Sequence, residues 1–130
     1  MSKASEWLGV AVLNHFFRGI TVAPPARFIG LFLSDPTNAN VGLEIQGGSY
    51  VRQAITFAEP VVVNGVSSIR NSIEIRFPTA TSDWGTVTHI GIFTATTGGN
   101  LLTHAAITPR EFKLGDEAVF SPNSVTISLD

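Results

Sequence analysis

At Pro24-Pro25 the sequence changes its period, and that change limits what the chain can fold into. Before it, Val10, Leu13, Phe17 and Ile20 fall at i, i+3, i+7 and i+10, one stripe of an α-helix, and Phe16 widens the stripe. The pattern predicts a helix from Ser2 to Arg18, about four turns at ~3.6 residues per turn. Ser2 or Ser5 can accept bonds from the first free backbone N–H groups. Glu6 suits the positive end of the dipole, and Gly19 is placed to end the helix in a left-handed conformation. The two prolines forbid further helix, because each lacks a backbone N–H and pushes the residue before it into extended backbone.

After Pro25 the period is two to the C-terminus. Arg27 to Leu33 is apolar almost throughout, as in a strand covered on both faces. Asp35-Pro36-Thr37-Asn38 is a turn by composition and Gly47-Gly48 a second breaker, with a loop between them. Tyr50 to Phe57 alternates, Val51, Ile55 and Phe57 on one face and Arg52 and Thr56 on the other. Asn64-Gly65 predicts a type I′ hairpin turn after Val61-Val62-Val63. Next, Ile69, Ile73, Ile75 and Phe77 oppose Arg70, Ser72, Glu74 and Arg76 in one strand that Pro78 stops. Thr86 to Thr94 pairs with Leu101 to Ala106 across Thr97-Gly98-Gly99-Asn100, and Glu111 to Leu114 with Glu117 to Phe120 across Gly115-Asp116. A last strand sets Val125, Ile127 and Leu129 against Ser124, Thr126 and Ser128. The expected fold is mainly β: a single jelly-roll-like β-sandwich of about eight or nine strands with one N-terminal α-helix. Residues 1–20 form the helical segment, either a docking arm or a helix packed on the sandwich, and residues 21–130 form the sandwich domain.

Composition bears on what such a domain does. Only 14% of residues are charged against 44% hydrophobic, where soluble domains carry ~25% charge. This points to a protein that buries surface in an assembly; the alternative is a monomer with a Thr, Ser and Asn-rich surface. Eight Lys plus Arg against ten Asp plus Glu offer no basic field for nucleic acid. The absence of cysteine excludes disulfides, thiolate metal sites and thiol catalysis, and three histidines make the usual zinc sets hard to assemble. Trp7 to Phe17 is interrupted by Asn14 and His15 and closed by Arg18, short of the ~20 apolar residues of a membrane span. It also lacks the basic n-region and small-residue cleavage site of a signal peptide.

Asp83, His89 and His104 are the nearest thing to a catalytic set. No G-x-S-x-G supplies a nucleophile, however, and the spacing does not favour a metal, so a polar pair at a sheet rim is the plainer reading. His15 reads as an interface or surface residue. Asp35 to Asn38 lacks the alternating acids of a calcium loop, and the glycine pairs do not open helices, so they have no phosphate-binding context. Arg52, Arg70 and Arg76, interleaved with Glu74, read as salt-bridged surface, while Glu44, Glu59 and Glu74 form no glycosidase dyad. No catalytic residue, cofactor or metal is expected.

Several segments carry a family resemblance. They are Phe28-Ile29-Gly30-Leu31-Phe32-Leu33-Ser34-Asp35-Pro36-Thr37, Glu44 through Gly47-Gly48-Ser49-Tyr50-Val51-Arg52-Gln53-Ala54, Ile75 through Asp83-Trp84-Gly85 to Phe93, and Gly98-Gly99-Asn100-Leu101-Leu102. Over Phe28 to Leu102 the chain resembles the small virion proteins of tailed bacteriophages described as tail-fibre proteins, some of which are similar to jelly-roll cement or decoration proteins of the capsid. The resemblance implies a non-enzymatic virion protein, made in the host cytoplasm, whose partners are the major capsid protein or other virion proteins and which forms a homo-oligomer without nucleic acid or membrane.

In that setting Asp83-Trp84-Gly85 is a turn in which Trp84 closes the core as a lid, or else meets a partner. Trp7, Val10, Leu13, Phe16 and Phe17 are the candidate partner-binding residues. The leading expectation is a cement protein that bridges and stabilises shell subunits, with mass action as the mechanism. The alternative is a tail-fibre, baseplate or head-spike component, with the Asp35 to Gly48 loop as the exposed contact. A sugar-binding or hydrolytic sandwich is a third, with Trp7, Trp84 and Tyr50 as its only Trp and Tyr platforms.

Overall fold

A computed structural model of the chain describes residues 2–129; Met1 and Asp130, the outer limits of the two predicted segments, lie outside it. Ser5 opens helix α1 (Glu6–Arg18) from extended backbone, and its hydroxyl accepts the Leu8 N–H at 3.0 Å. Gly19 ends the helix at φ 70°, its N–H returning to the Asn14 carbonyl. The helix starts later than its apolar period suggests, because Lys3–Ala4 form a strand, β1. The Ser5 N–H and hydroxyl are both bound to carbonyls at Leu102 and Leu101, which holds the chain before the helix extended.

The remaining strands are β2 (Phe28–Phe32), β3 (Gln53–Ala54), β4 (Val61–Val63), β5 (Val66–Arg70), β6 (Ile75–Arg76), β7 (Gly85–Phe93), β8 (Leu101–Phe112), β9 (Val119–Phe120) and β10 (Thr126–Leu129). They form a five-stranded sheet, β1-β8-β7-β2-β3, a three-stranded sheet, β10-β5-β4, and the pair β6-β9. The fold is mainly β with a single N-terminal helix, as predicted, in a sandwich-like arrangement. One core joins the sheets: Ile29 and Leu31 of β2 and Val87, Ile90 and Ile92 of β7 share it with Ile75, Phe77 and Val125. Along β7 the pairing to β8 shifts between Val87 and His89. Across this shift β7 advances two residues, Val87 to His89, while β8 advances four, Arg110 to Ala106, so the bulged residues lie on β8. At the far end of the chain, the Ser128 N–H donates to the Ser2 hydroxyl at 2.9 Å.

Local signals hold. β2 is buried from Ile29 to Phe32, and Asn64 and Gly65 take φ 51° and 78° between β4 and β5, the positive angles a type I′ turn requires. β7 and β8 pair across the predicted loop, although β8 runs on to Phe112.

Two predicted strands and one predicted hairpin are corrected. The Ile69 to Phe77 strand divides at Asn71, which is fully buried. Its side-chain amide donates to the carbonyls of Ile73 and Ser121 and accepts the Val125 N–H, so β5 and β6 belong to different sheets and Ile73 is exposed. In Tyr50 to Phe57 only Gln53 and Ala54 pair with β2; Val51 is exposed and Arg52 buried, the reverse of the expected faces there. Glu111 to Leu114 does not pair with Glu117 to Phe120: Glu111 and Phe112 pair with β7, and β9 pairs with β6.

Trp84 lies inside, 4% exposed, with its indole N–H donating to the Gly48 carbonyl at 2.8 Å and its ring against Tyr50 and Phe112. Asp83 accepts the Leu114 N–H and Gly85 turns at φ 97°, which sets the indole over the core. Trp84→Ala is expected to lower stability by about 3–5 kcal/mol, read as a lower midpoint in urea unfolding.

Candidate interaction surface

Helix α1 has only Glu6, Asn14, His15 and Arg18 as polar side chains, yet buries no residue. Leu8, Gly9, Ala11 and Asn14 are half-buried, and the rest is exposed. The five predicted partner-binding residues are all exposed, from 38% at Trp7 to 73% at Phe16 and 80% at Phe17. Val10, Leu13 and Phe17 follow one helical stripe, and Phe16 stands beside it. A helix that is apolar nearly all round is normally covered.

Leu8 is a ridge between two apolar grooves. One, about 260 Å³, runs along Trp7, Ala11, Val12, Phe16, Val22 and Leu102. The other, about 210 Å³, lies against Pro60 and against Ile69, Ile127 and Leu129 of the three-stranded sheet. Val61, Val62 and Val63 of β4 are also exposed. The apolar surface thus extends from the helix onto a second sheet, which the helical period alone could not reveal. His15 is exposed, its ring edge-on to Phe16 and its Nδ1 3.1 Å from the Ile20 carbonyl.

The polar candidates are placed differently from expectation. Arg52 is not surface: its guanidinium grips both oxygens of Glu44 at 2.8 Å, donates to the Ala95 and Gly98 carbonyls, and lies 3.6 Å over the Phe93 ring. The Tyr50 hydroxyl donates to Glu44 and accepts the Leu31 N–H; burial first, then Glu44, raises its pKa far above the usual value. Four of the five guanidinium N–H groups of Arg52 are bonded within this knot, so it clamps the loops together. Arg76 is an exposed surface pair with Glu74 and Glu117, as expected.

Asp83 does not join the histidines. His89 and His104 instead flank Asp35, at 4.0 Å and 3.7 Å from its two oxygens. Asp35 reads as turn chemistry in sequence, and it does accept the Thr37 N–H at 2.8 Å, so nothing local announces its second role. Among the described residues no group of three His, Cys, Asp or Glu is placed to hold a metal ion. The Asp35 to Gly48 loop is irregular apart from a bridge between Glu44 and Phe32, and it exposes Val41 and Leu43.

Removing one partner of a buried ion pair strands the other. Arg52→Ala is therefore expected to cost about 3 kcal/mol, measured by chemical denaturation, with Glu44→Gln milder because the amide still accepts from Arg52.

Among the described residues no helix is long and apolar enough to cross a membrane. No curated protein matches the chain. A family model described as podophage GP4 fiber I protein gp80 matches residues 3–128, and the chain belongs to that family of phage virion proteins.

Proposed function

We propose that this protein is a non-enzymatic structural part of a phage fibre or tail, held to a neighbouring virion protein by the apolar surface of α1. The observation that carries this reading is the helix itself, nearly free of charge and uncovered on the stripe of Val10, Leu13 and Phe17. Covering apolar surface is worth about 25 cal/mol per Å², and large aromatic side chains such as Trp7, Phe16 and Phe17 tend to carry most of such an interface. No reaction is needed: copies that bind only the assembled particle stabilise it by mass action, more strongly when several engage together.

The sequence alone put shell cement first. The family's description as a fibre protein favours the tail-side alternative, and the irregular Asp35 to Gly48 loop with its exposed Val41 and Leu43 offers that role a second contact. Self-association into a homo-oligomer is part of the same reading, since the charge content is low for a free monomer.

Particles assembled with a Leu13→Glu, Phe17→Glu double variant are expected to lack the protein while the purified variant unfolds at the wild-type midpoint, since both side chains are solvent-exposed. Normal incorporation of that variant rejects α1 as the attachment element. Copies counted by cryo-electron microscopy on wild-type particles distinguish the roles: a small number at the tail supports the fibre reading, and hundreds spread over the shell replace it with cement.

A further inference from the structure

We propose that the free edge of β4 seats a second copy of this chain, the two β4 strands pairing antiparallel about a two-fold axis at Val62 and joining their three-stranded sheets into one. It rests on the reading above only in expecting a homo-oligomer, and the attachment through α1 stands apart from it.

Two longer sheet edges are protected. β1 covers Thr103 and His104 of β8, and beyond them β8 carries its bulge, Pro109 and the charged Arg110 and Glu111. On β10 the Ser128 N–H is taken by the Ser2 hydroxyl. Bulges, proline and charge are common means of keeping an edge from pairing. β4 has no proline or charge within it: Val61, Val62 and Val63 are 50%, 69% and 59% exposed, and no residue from Pro60 to Ile69 is charged.

Register decides which backbone groups β4 leaves free. The two-residue turn at Asn64-Gly65 makes Val63 and Val66 a pair that exchanges both of its hydrogen bonds, and alternation makes Val61 and Ser68 the next such pair. Val62, opposite Ser67, therefore turns its N–H and C=O away from β5. The same alternation carried across β5 turns Ser128 of β10 outward, where its N–H does meet Ser2.

A residue with one free donor and one free acceptor on the same side is complementary to itself. With Val62 opposite Val62 of the second copy, each N–H reaches the other's carbonyl. Val61 then lies opposite Val63 of the second copy. Pro60, which has no N–H to give, lies opposite Asn64, where the second chain turns away through Gly65. A longer foreign strand would run on past Pro60 to Glu59 with its own backbone groups unpaired, whereas a hairpin that turns at Pro60 does not. Glu59 falls opposite Gly65, so no like charges meet. Val62, Ser67 and Leu129 stand in one row across the sheet, with Ile69 and Ile127 on the same side. That is the side on which the groove beside Leu8 opens, so the axis brings two apolar faces edge to edge.

The test uses the purified full chain, so its failure is distinct from failure of the α1 attachment, which is read on particles. Analytical ultracentrifugation should show a monomer–dimer equilibrium at concentrations up to about 100 µM. Val62→Lys, at an exposed position, should weaken the dimer at least about tenfold by setting two ammonium groups side by side. The chain has no cysteine, so introduced thiols report the register. A mixture of Val61→Cys and Val63→Cys proteins should form disulfide-linked dimers under mild oxidation, because residues opposed in this way stand about 4.5 Å apart at Cα, within disulfide reach. Either variant alone should not, since its two copies of the cysteine are about 8 Å apart at Cα. A wild-type chain that stays monomeric overturns the proposal. A dimer that Val62→Lys leaves intact overturns it too, as does a mixture that cross-links no better than either cysteine variant alone.

Discussion

The free side of β2 is the constraint on which this fold turns. β3 covers only Phe28 and Ile29, and beyond them the strand must find other partners. The chain after the Asp35 turn supplies them: Leu33 donates to Leu43, Ile45 donates to Leu31, and the Tyr50 hydroxyl receives the Leu31 N–H. Glu44, Tyr50 and Arg52 then fasten this substitute strand, with the guanidinium reaching on to the tip of the β7–β8 hairpin. Gly30 is what lets the knot close: a Cβ there would stand 2.7 Å from a Glu44 carboxylate oxygen and 2.9 Å from the Tyr50 hydroxyl. Buried polar groups are tolerable only when satisfied, and this set is satisfied by β2 and two loops, the β2–β3 connection and the β7–β8 hairpin.

That dependence on distant partners explains which features can be read from the chain in order. The Ser5 and Gly19 caps, the Asn64-Gly65 turn and the apolar run of β2 are decided within a few residues, and each appears where the pattern places it. The division at Asn71 is different. Asn71 occupies the one polar position in the apolar series from Ile69 to Phe77, a hint that only becomes decisive through Ser121 and Val125, far along the chain. Arg52 likewise looks like surface until Ala95 and Gly98 are beside it. Asp35 is consumed by its turn in any local reading, and its histidines arrive from β7 and β8. Of the interaction surface, the helical stripe was readable, but its continuation across Leu8 to Ile69, Ile127 and Leu129 required the sheets to be assembled.

The low charge content and the exposed helix are two expressions of one property. A domain with its own closed core, lidded by Trp84, has no need of α1 for burial, and α1 contributes no buried residue. The sandwich keeps its polar groups satisfied internally, with no buried side-chain nitrogen or oxygen lacking a partner among the described residues. Its apolar excess is displayed outside, on α1 and β4. Membership of a family of phage virion proteins gives that surface neighbours to meet.

The seat of the arm also orders events in time. β1 pairs with β8, and Ser2 bonds to Ser128 across almost the whole sequence. The helix leaves the ribosome before β8, and the Leu101 carbonyl that anchors Ser5 is made 96 residues after it. Contacts of such separation form late, because the intervening chain must first be closed into a loop. This apolar element is thus made well before the strand that secures it, so the nascent chain carries an uncovered apolar helix until β8 has been synthesised.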